Sequence, residues 1–257
     1  MSCKELLEAT EAYAQSIQPK NARRDENFIS RFLTVSKNDV SKAAERYINY
    51  YQIINSIPEI ESILKGHYLS TIDEIKTRNQ TPPINFVGLD QNGRAILTMQ
   101  SAKVNPDLPN FSSMIFLWLC TLEELLTSKS EEFKNGVVLV IDHGGLTLAH
   151  YKMLIKNRPI AKLFFRMMDG GFPILVKNVF IVNEPIIFSM VFKVMSSFLS
   201  QKMKERIKVL GKKHKIVIDE LGGVEFSPNL LDGGILDLKP VEIDDFAEVL
   251  KKVLPMV

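Results

Sequence analysis

GVVLVIDHGGLTLAH, residues 136–150, is the stretch that decides the fold. Val137 to Ile141 is an unbroken apolar run in which three of five residues are valine, closed by Gly136 on one side and by Asp142-His143-Gly144-Gly145 on the other. A strand that is apolar at every position buries both faces, and such strands belong to parallel sheets crossed over by helices. A helix is predicted over Ala149–Met168 and a second buried strand over Val176–Val182, giving the order strand, helix, strand. Upstream, Ile84–Val87 and Ala95–Met99 read as short strands joined at Asp90-Gln91-Asn92-Gly93, where Asn-Gly supplies a left-handed turn at low cost. Helical spacing returns over Ser112–Thr127 and again from Glu184 to Val209.

The N-terminal part differs in character. Phe28, Ile29, Phe32 and Leu33, then Ala43, Ala44, Tyr47, Ile48 and Tyr51, repeat at helical spacing; Asp39 reads as an N-cap, Pro58 as a helix boundary, and Thr81-Pro82-Pro83 as a loop. The expected fold class is α/β, with a small N-terminal helical module over 1–80, a mixed, largely parallel sheet domain over 81–240 whose helices enclose a hydrophobic ligand cavity, and a helical tail over 241–257.

Composition leaves room for this. Of 257 residues, 46% are hydrophobic and 24% charged, far from the composition of disordered chains, and the net charge of +2 says little until its distribution is considered. Two cysteines cannot build a disulfide framework, and MSCKELLEATEAYAQ lacks the apolar run of a secretion signal, so the expected setting is cytoplasmic. No run reaches about 18 apolar residues, so any membrane contact is expected to be peripheral and transient.

The segment IIFSMVFKVMSSFL, residues 186–199, places Phe188, Val191, Phe192, Met195, Phe198 and Leu199 on one helical stripe, widened by Ile187, Met190 and Val194. An ordinary core helix explains the stripe as such. A run of cations follows at Lys202, Lys204, Arg206, Lys208, Lys212, Lys213 and Lys215, with Lys202 and Arg206 one turn apart. A solvated helix face explains those too, but an oily helix running into a basic one also suits docking on an anionic membrane. Nucleic acid is not expected, since zinc spacing and RNA-recognition signatures are missing.

No enzyme is predicted: G-x-S-x-G, H-E-x-x-H, G-K-[ST] phosphate loops and G-x-G-x-x-G are all missing. Asp142, His143, Asn183 and Glu184 sit at strand ends, where such residues more often tie loops than perform acid–base chemistry, and Cys120 beside Trp118 reads as an inert core thiol. Neither a cofactor nor a metal is implied.

Taken in order, DENFISRFLTVSKNDVSKAAERY, GLDQNGRAI, GVVLVIDHGGLTLAH, FPILVKNVFIVNEPIIFSMVF, FLSQKMKERI and ELGGVEF resemble the CRAL-TRIO proteins, particularly the branch of tocopherol and retinaldehyde carriers. The resemblance spans about Arg24 to Phe226 and implies a lipid carrier whose cavity is closed by a gate helix at Ile186–Leu199. It predicts a lining of Phe164, Met168, Phe172, Ile174, Val179, Ile181, Phe188, Val191, Phe192 and Met195. It also implies phosphoinositide binding at Lys177, Lys202 and Arg206, with Leu175 standing where close relatives carry a further basic residue. The expected partners are a tocopherol-, retinoid- or carotenoid-like ligand and phosphoinositides of anionic membranes. The alternative is an interaction module with a collapsed cavity that binds phosphoinositides or a partner protein without transport.

Overall fold

The computed structural model of the chain describes residues 3–16, 22–57, 84–107 and 112–253. Pro58 and Thr81-Pro82-Pro83 lie outside the described residues. Three helices come first: α1 (Cys3–Ser16), α2 (Glu26–Val35) and α3 (Val40–Asn55). Asp25 and Asp39 cap α2 and α3, accepting from the amides of Phe28 at 3.0 Å and Lys42 at 3.1 Å, which satisfies donors that a helix start leaves open. The apolar positions of α2 and α3 meet as a nest of aromatic rings. Phe28, Phe32, Tyr47, Tyr50 and Tyr51 pack edge to face at centroid separations such as 5.1 Å for Phe28–Phe32 and 5.0 Å for Tyr50–Tyr51.

The sheet is built from β1 (Ile84–Leu89), β2 (Ala95–Gln100), β3 (Val137–Asp142), β4 (Val176–Val182), β5 (Ile207–Gly211) and β6 (Lys239–Pro240), in the order β5-β4-β3-β2-β1-β6. From β2 to β5 neighbours run parallel, and β1 is antiparallel to both β2 and β6. The turn into β2 takes the expected form: Gly93 has φ 67, and Asp90 accepts from the amides of Asn92 and Arg94 at 2.9 and 2.8 Å. Strand alternation divides the interior in two. Leu97, Leu139, Val179 and Ile181 face one side, while Ile96, Val138, Val140, Phe180 and Val182 face the other, under α9 (His214–Leu221).

Two helical stretches differ from expectation. The helix predicted over Ala149–Met168 is two, α5 (Leu148–Lys156) and α6 (Arg158–Arg166), because Pro159 has no amide to continue the ladder and Asn157 turns to φ −101, ψ 28. A π turn, Met167–Gly171, follows; a Cβ at Gly171 would lie 2.2 Å from Ile53 Cδ1, so glycine lets α3 approach. The stretch from Glu184 to Val209 is broken into α7 (Phe188–Met195), a 3₁₀ turn (Ser196–Phe198), α8 (Gln201–Arg206) and the start of β5. Ser200 begins a new helix by accepting from Met203 N at 3.1 Å, and the lysine-bearing segment after it pairs with β4, Val179 opposite Ile207, as a charged edge strand.

The helices α1–α3 are bound to the sheet domain through α4 (Ser112–Ser128). Glu123 on α4 is only 1% exposed and accepts from Arg23 Nη1 at 2.7 Å and Arg31 Nη1 at 2.8 Å. Arg23 also pairs with Asp25 at 2.9 Å, lies 4.4 Å over the Phe28 ring, and donates to the carbonyl of Lys252 at 3.2 Å in α10 (Phe246–Val253), which itself packs on α4. Glu123→Gln leaves the inward-facing Arg31 without its countercharge and Arg23 with Asp25 alone. A destabilisation of about 3–5 kcal/mol is expected, read as a lower midpoint in urea unfolding with an unchanged slope.

Candidate functional site

The sheet face opposite α9 is covered by α5, α6 and α7, and between them lies a cavity of about 180 Å³. Its walls are apolar: Met99, Ile141, Val179, Ile181 and Ile207 from the strands, Leu154, Phe164 and Phe165 from α5 and α6, and Phe188, Val191, Phe192 and Met195 from α7. Phe164, Val179, Ile181, Phe188, Val191, Phe192 and Met195 of the predicted lining therefore stand around one space. Met168, Phe172 and Ile174 do not line it. Phe172 instead packs on Tyr50 at 5.7 Å, and Ile174 is buried beside it in the chain, both in the core shared with the N-terminal helices. Met168 falls in the π turn, half-buried.

Helix α7 is apolar on two sides. Its inner face closes the cavity, and outside it Ile186, Met190 and Val194, spaced four apart, are exposed, Ile186 at 96%. Phe198, just beyond, has Arg158 and Lys162 over its ring at 5.4 and 5.9 Å. Both ends of the segment are tied. Before it, Asn183 takes φ 56, donates to Asp142 Oδ1 at 3.0 Å and accepts from His214 Nε2 at 2.9 Å, while Glu184 accepts from Gly211 N at 3.0 Å. After it, the amide and hydroxyl of Ser200 donate to the Asp169 carboxylate at 2.5 and 2.8 Å. Asp142, Asn183 and Glu184 thus serve as loop ties.

His143 has no such tie. Its Nδ1 is buried without a hydrogen-bond partner, and its ring meets Phe188 edge-on at 4.6 Å within the cavity wall. Burial pushes its pKa down to about 4, against a smaller upward pull from Asp142, so the ring is neutral at physiological pH. The Tyr151 hydroxyl, also in the wall, is likewise unpartnered, and burial, with a contribution from Glu184, raises its pKa. His150 contrasts with both: Thr147 donates to its Nδ1 through amide and hydroxyl at 3.2 and 2.9 Å, and its Nε2–H donates to Val104 O at 3.0 Å. Cys120 is buried, which pushes its thiol up and keeps it protonated.

Lys177 on β4 and Lys202 and Arg206 on α8 are brought together, with Arg206 donating to Val176 O at 2.5 Å. Lys177 has a lowered pKa, first from burial and then from repulsion by Arg206, Lys37, Arg94 and Lys202. Arg46 is likewise lowered by burial and then by Arg206. Lys37, from the turn between α2 and α3, and Arg46, from α3, join them, and nothing in the local sequence couples them to residues so far along the chain. Among the described residues, Lys37, Arg46, Lys177, Lys202 and Arg206 have no carboxylate within ion-pair distance, whereas Lys208 and Lys215 are paired with Glu220 and Asp219, and Arg94 with Asp90. The described residues hold no cluster of metal-ligating side chains and no helix long and apolar enough to cross a membrane.

Comparison with known proteins places this geometry. A family described as CRAL/TRIO domain matches residues 79–223. The mouse protein named alpha-tocopherol transfer protein-like is 30% identical over 73% of this chain and 52% of its own length. Human tyrosine-protein phosphatase non-receptor type 9 is 24% identical over 72% of this chain and 29% of its own. The crystal structure of Sfh5 superposes with a TM-score of 0.55 at 14% identity, covering 90% of this chain and 80% of that one. The chain spans about half the length of the first of these relatives.

A pH prediction follows from His143. In the unfolded chain its imidazole titrates near the ordinary 6.5, above the folded value of about 4. The stability held by its neutral form is complete above about pH 6.5 and is lost as pH falls toward 4, by up to about 3 kcal/mol. Compared with the parent, His143→Leu should show a smaller loss of unfolding free energy between pH 7 and pH 4 in paired urea titrations.

Proposed function

This chain belongs to the CRAL/TRIO domain family, and from that premise we propose that it encloses one hydrophobic lipid beneath α7 and exchanges it at phosphoinositide-bearing membranes. The observation that carries the reading is the two-sided apolar character of α7, with Phe188 and Met195 buried inward and Met190 and Val194, together with Ile186 in the turn before the helix, held in water. A helix that served only as a core element would present polar residues outward. Exposed apolar groups at Ile186, Met190 and Val194, with Lys193 among them and Arg158 and Lys162 over Phe198 just beyond, instead suit the boundary of an anionic bilayer. The wording of the mouse relative's name, alpha-tocopherol transfer protein-like, adds support for lipid carriage. A tocopherol-, retinoid- or carotenoid-like ligand, or a phospholipid chain, belongs to the class that such a lining accepts.

Opening costs less than the whole stripe suggests, because the outer residues are already in water. Exposing Phe188, Val191, Phe192 and Met195 costs on the order of 6 kcal/mol at roughly 1.5 kcal/mol or more each, enough to keep the cavity closed in solution. A bilayer that receives those side chains removes most of that cost. In this reading Lys177, Lys202 and Arg206, joined by Lys37 and Arg46, hold the headgroup phosphates, the arginines through paired hydrogen bonds. No turnover is assigned to any residue.

The cavity volume favours attention to one other reading. At about 180 Å³ it is below the 300 Å³ or more typical of small-molecule pockets, as an interaction module with a filled interior would have it. Mass spectrometry of lipid extracted from the purified protein separates the two: one stoichiometric hydrophobic lipid supports carriage, and a lipid-free protein that takes none up from vesicles overturns it. For the basic cluster, replacing Lys177, Lys202 and Arg206 together by alanine should weaken binding to phosphoinositide vesicles by up to about 100-fold at low salt, at roughly 1 kcal/mol per cation. Replacing Lys212 and Lys213 should leave the preference for phosphoinositide over phosphatidylserine vesicles in place.

A further inference from the structure

The wall beneath α7 has a polar pole. His143 Nδ1 and the Tyr151 hydroxyl are buried, unpartnered and on the same cavity, while Asp142, Asn183 and Glu184 at the neighbouring strand ends are tied. Leaving a buried donor or acceptor unsatisfied is costly, and two such atoms on one otherwise apolar space point to a group that completes them when the space is filled. Among the described residues the lining contains no lysine, arginine, aspartate or glutamate, so an ionised head would be desolvated there without a countercharge. Asp142 beside His143 and Glu184 near Tyr151 add negative field, which disfavours a carboxylate further. A neutral imidazole nitrogen and a protonated phenol offer hydrogen bonding in both directions, the complement of a hydroxyl.

We propose that His143 selects the ligand by its head, hydrogen-bonding the hydroxyl of a neutral lipid with Tyr151 as a second contact, and that lipids with an ionised or a capped head are held more weakly. This rests on the reading of the cavity beneath α7 as the lipid site. His143 also touches Phe188 on α7, so the head lies against the closing helix.

The test uses the full chain, delipidated, and three fluorescent 18-carbon tetraenes with one hydrocarbon body: parinaryl alcohol, its methyl ether, and parinarate at pH 7.4. The parent should bind the alcohol about tenfold more tightly than either the ether or the acid, as one net hydrogen bond requires. His143→Leu should bind the alcohol and the ether alike, with its ether affinity unchanged or raised, and His143→Gln, which keeps a donor and an acceptor, should restore part of the preference. Equal binding of alcohol and ether by the parent, or a preference that survives both His143→Leu and Tyr151→Phe, overturns the proposal. Val191→Trp, which fills the cavity from α7, guards the premise. If all three probes still bind that variant as they bind the parent, or none binds the parent, the lipid site itself has been misplaced. Circular dichroism and unfolding midpoints exclude misfolded variants.

Discussion

A single carboxylate holds the two parts of this molecule in register. Glu123 is almost fully enclosed, and a charge so placed is tolerable only while its partners stay with it. Arg23 and Arg31 supply that company from opposite ends of one short N-terminal stretch, and Arg23 reaches on to the C-terminal helix. The consequence lies on the other side of α4. Met114 of the same helix lines the cavity, and Trp118 stacks edge-on against Phe164 at 4.7 Å, so the rear wall of the cavity rests on a helix fixed by those ion pairs.

Much of the fold could be read directly, because strands buried on both faces leave an unmistakable apolar run, as Val137–Ile141 and Val176–Val182 do. The edge strand β5 could not. Its one lysine, Lys208, sits among apolar residues directly after a helix, and only pairing with β4 distinguishes it from a continued helix. The break at Pro159 was written in the sequence but overridden by the long helical periodicity around it.

For the site, spacing was informative wherever one element supplied several residues. Val179 and Ile181 lie two apart on one strand, and Phe188, Val191, Phe192 and Met195 on one helix turn toward one space. Spacing had no purchase on where Phe172 and Ile174 would be used, since Gly171 lets α3 come close enough to claim that segment for the aromatic nest. Lys37 and Arg46 were invisible for the same reason: the approach of Lys37 to Lys177 and of Arg46 to Arg206 exists only once the two parts are docked. His143 presents the opposite problem. A lone histidine at a strand end signals nothing until its ring is seen buried and unpartnered in one cavity wall with the Tyr151 hydroxyl.

The attachment at Ser200 gives the molecule a mechanical property. Ser200 ends the closing segment and starts α8, so the helix that carries Lys202 and Arg206 begins where the cover stops. Its fastening, Asp169, lies within the field of Arg46, one of the same five cations. A phosphate drawn in among Arg46 and Arg206 would compete with Asp169 for positive charge and pull on α8 at once. With a headgroup in the proposed site, cover and cation cluster would then act as one lever with its fulcrum at a serine, anchored to the sheet where Arg206 holds the Val176 carbonyl.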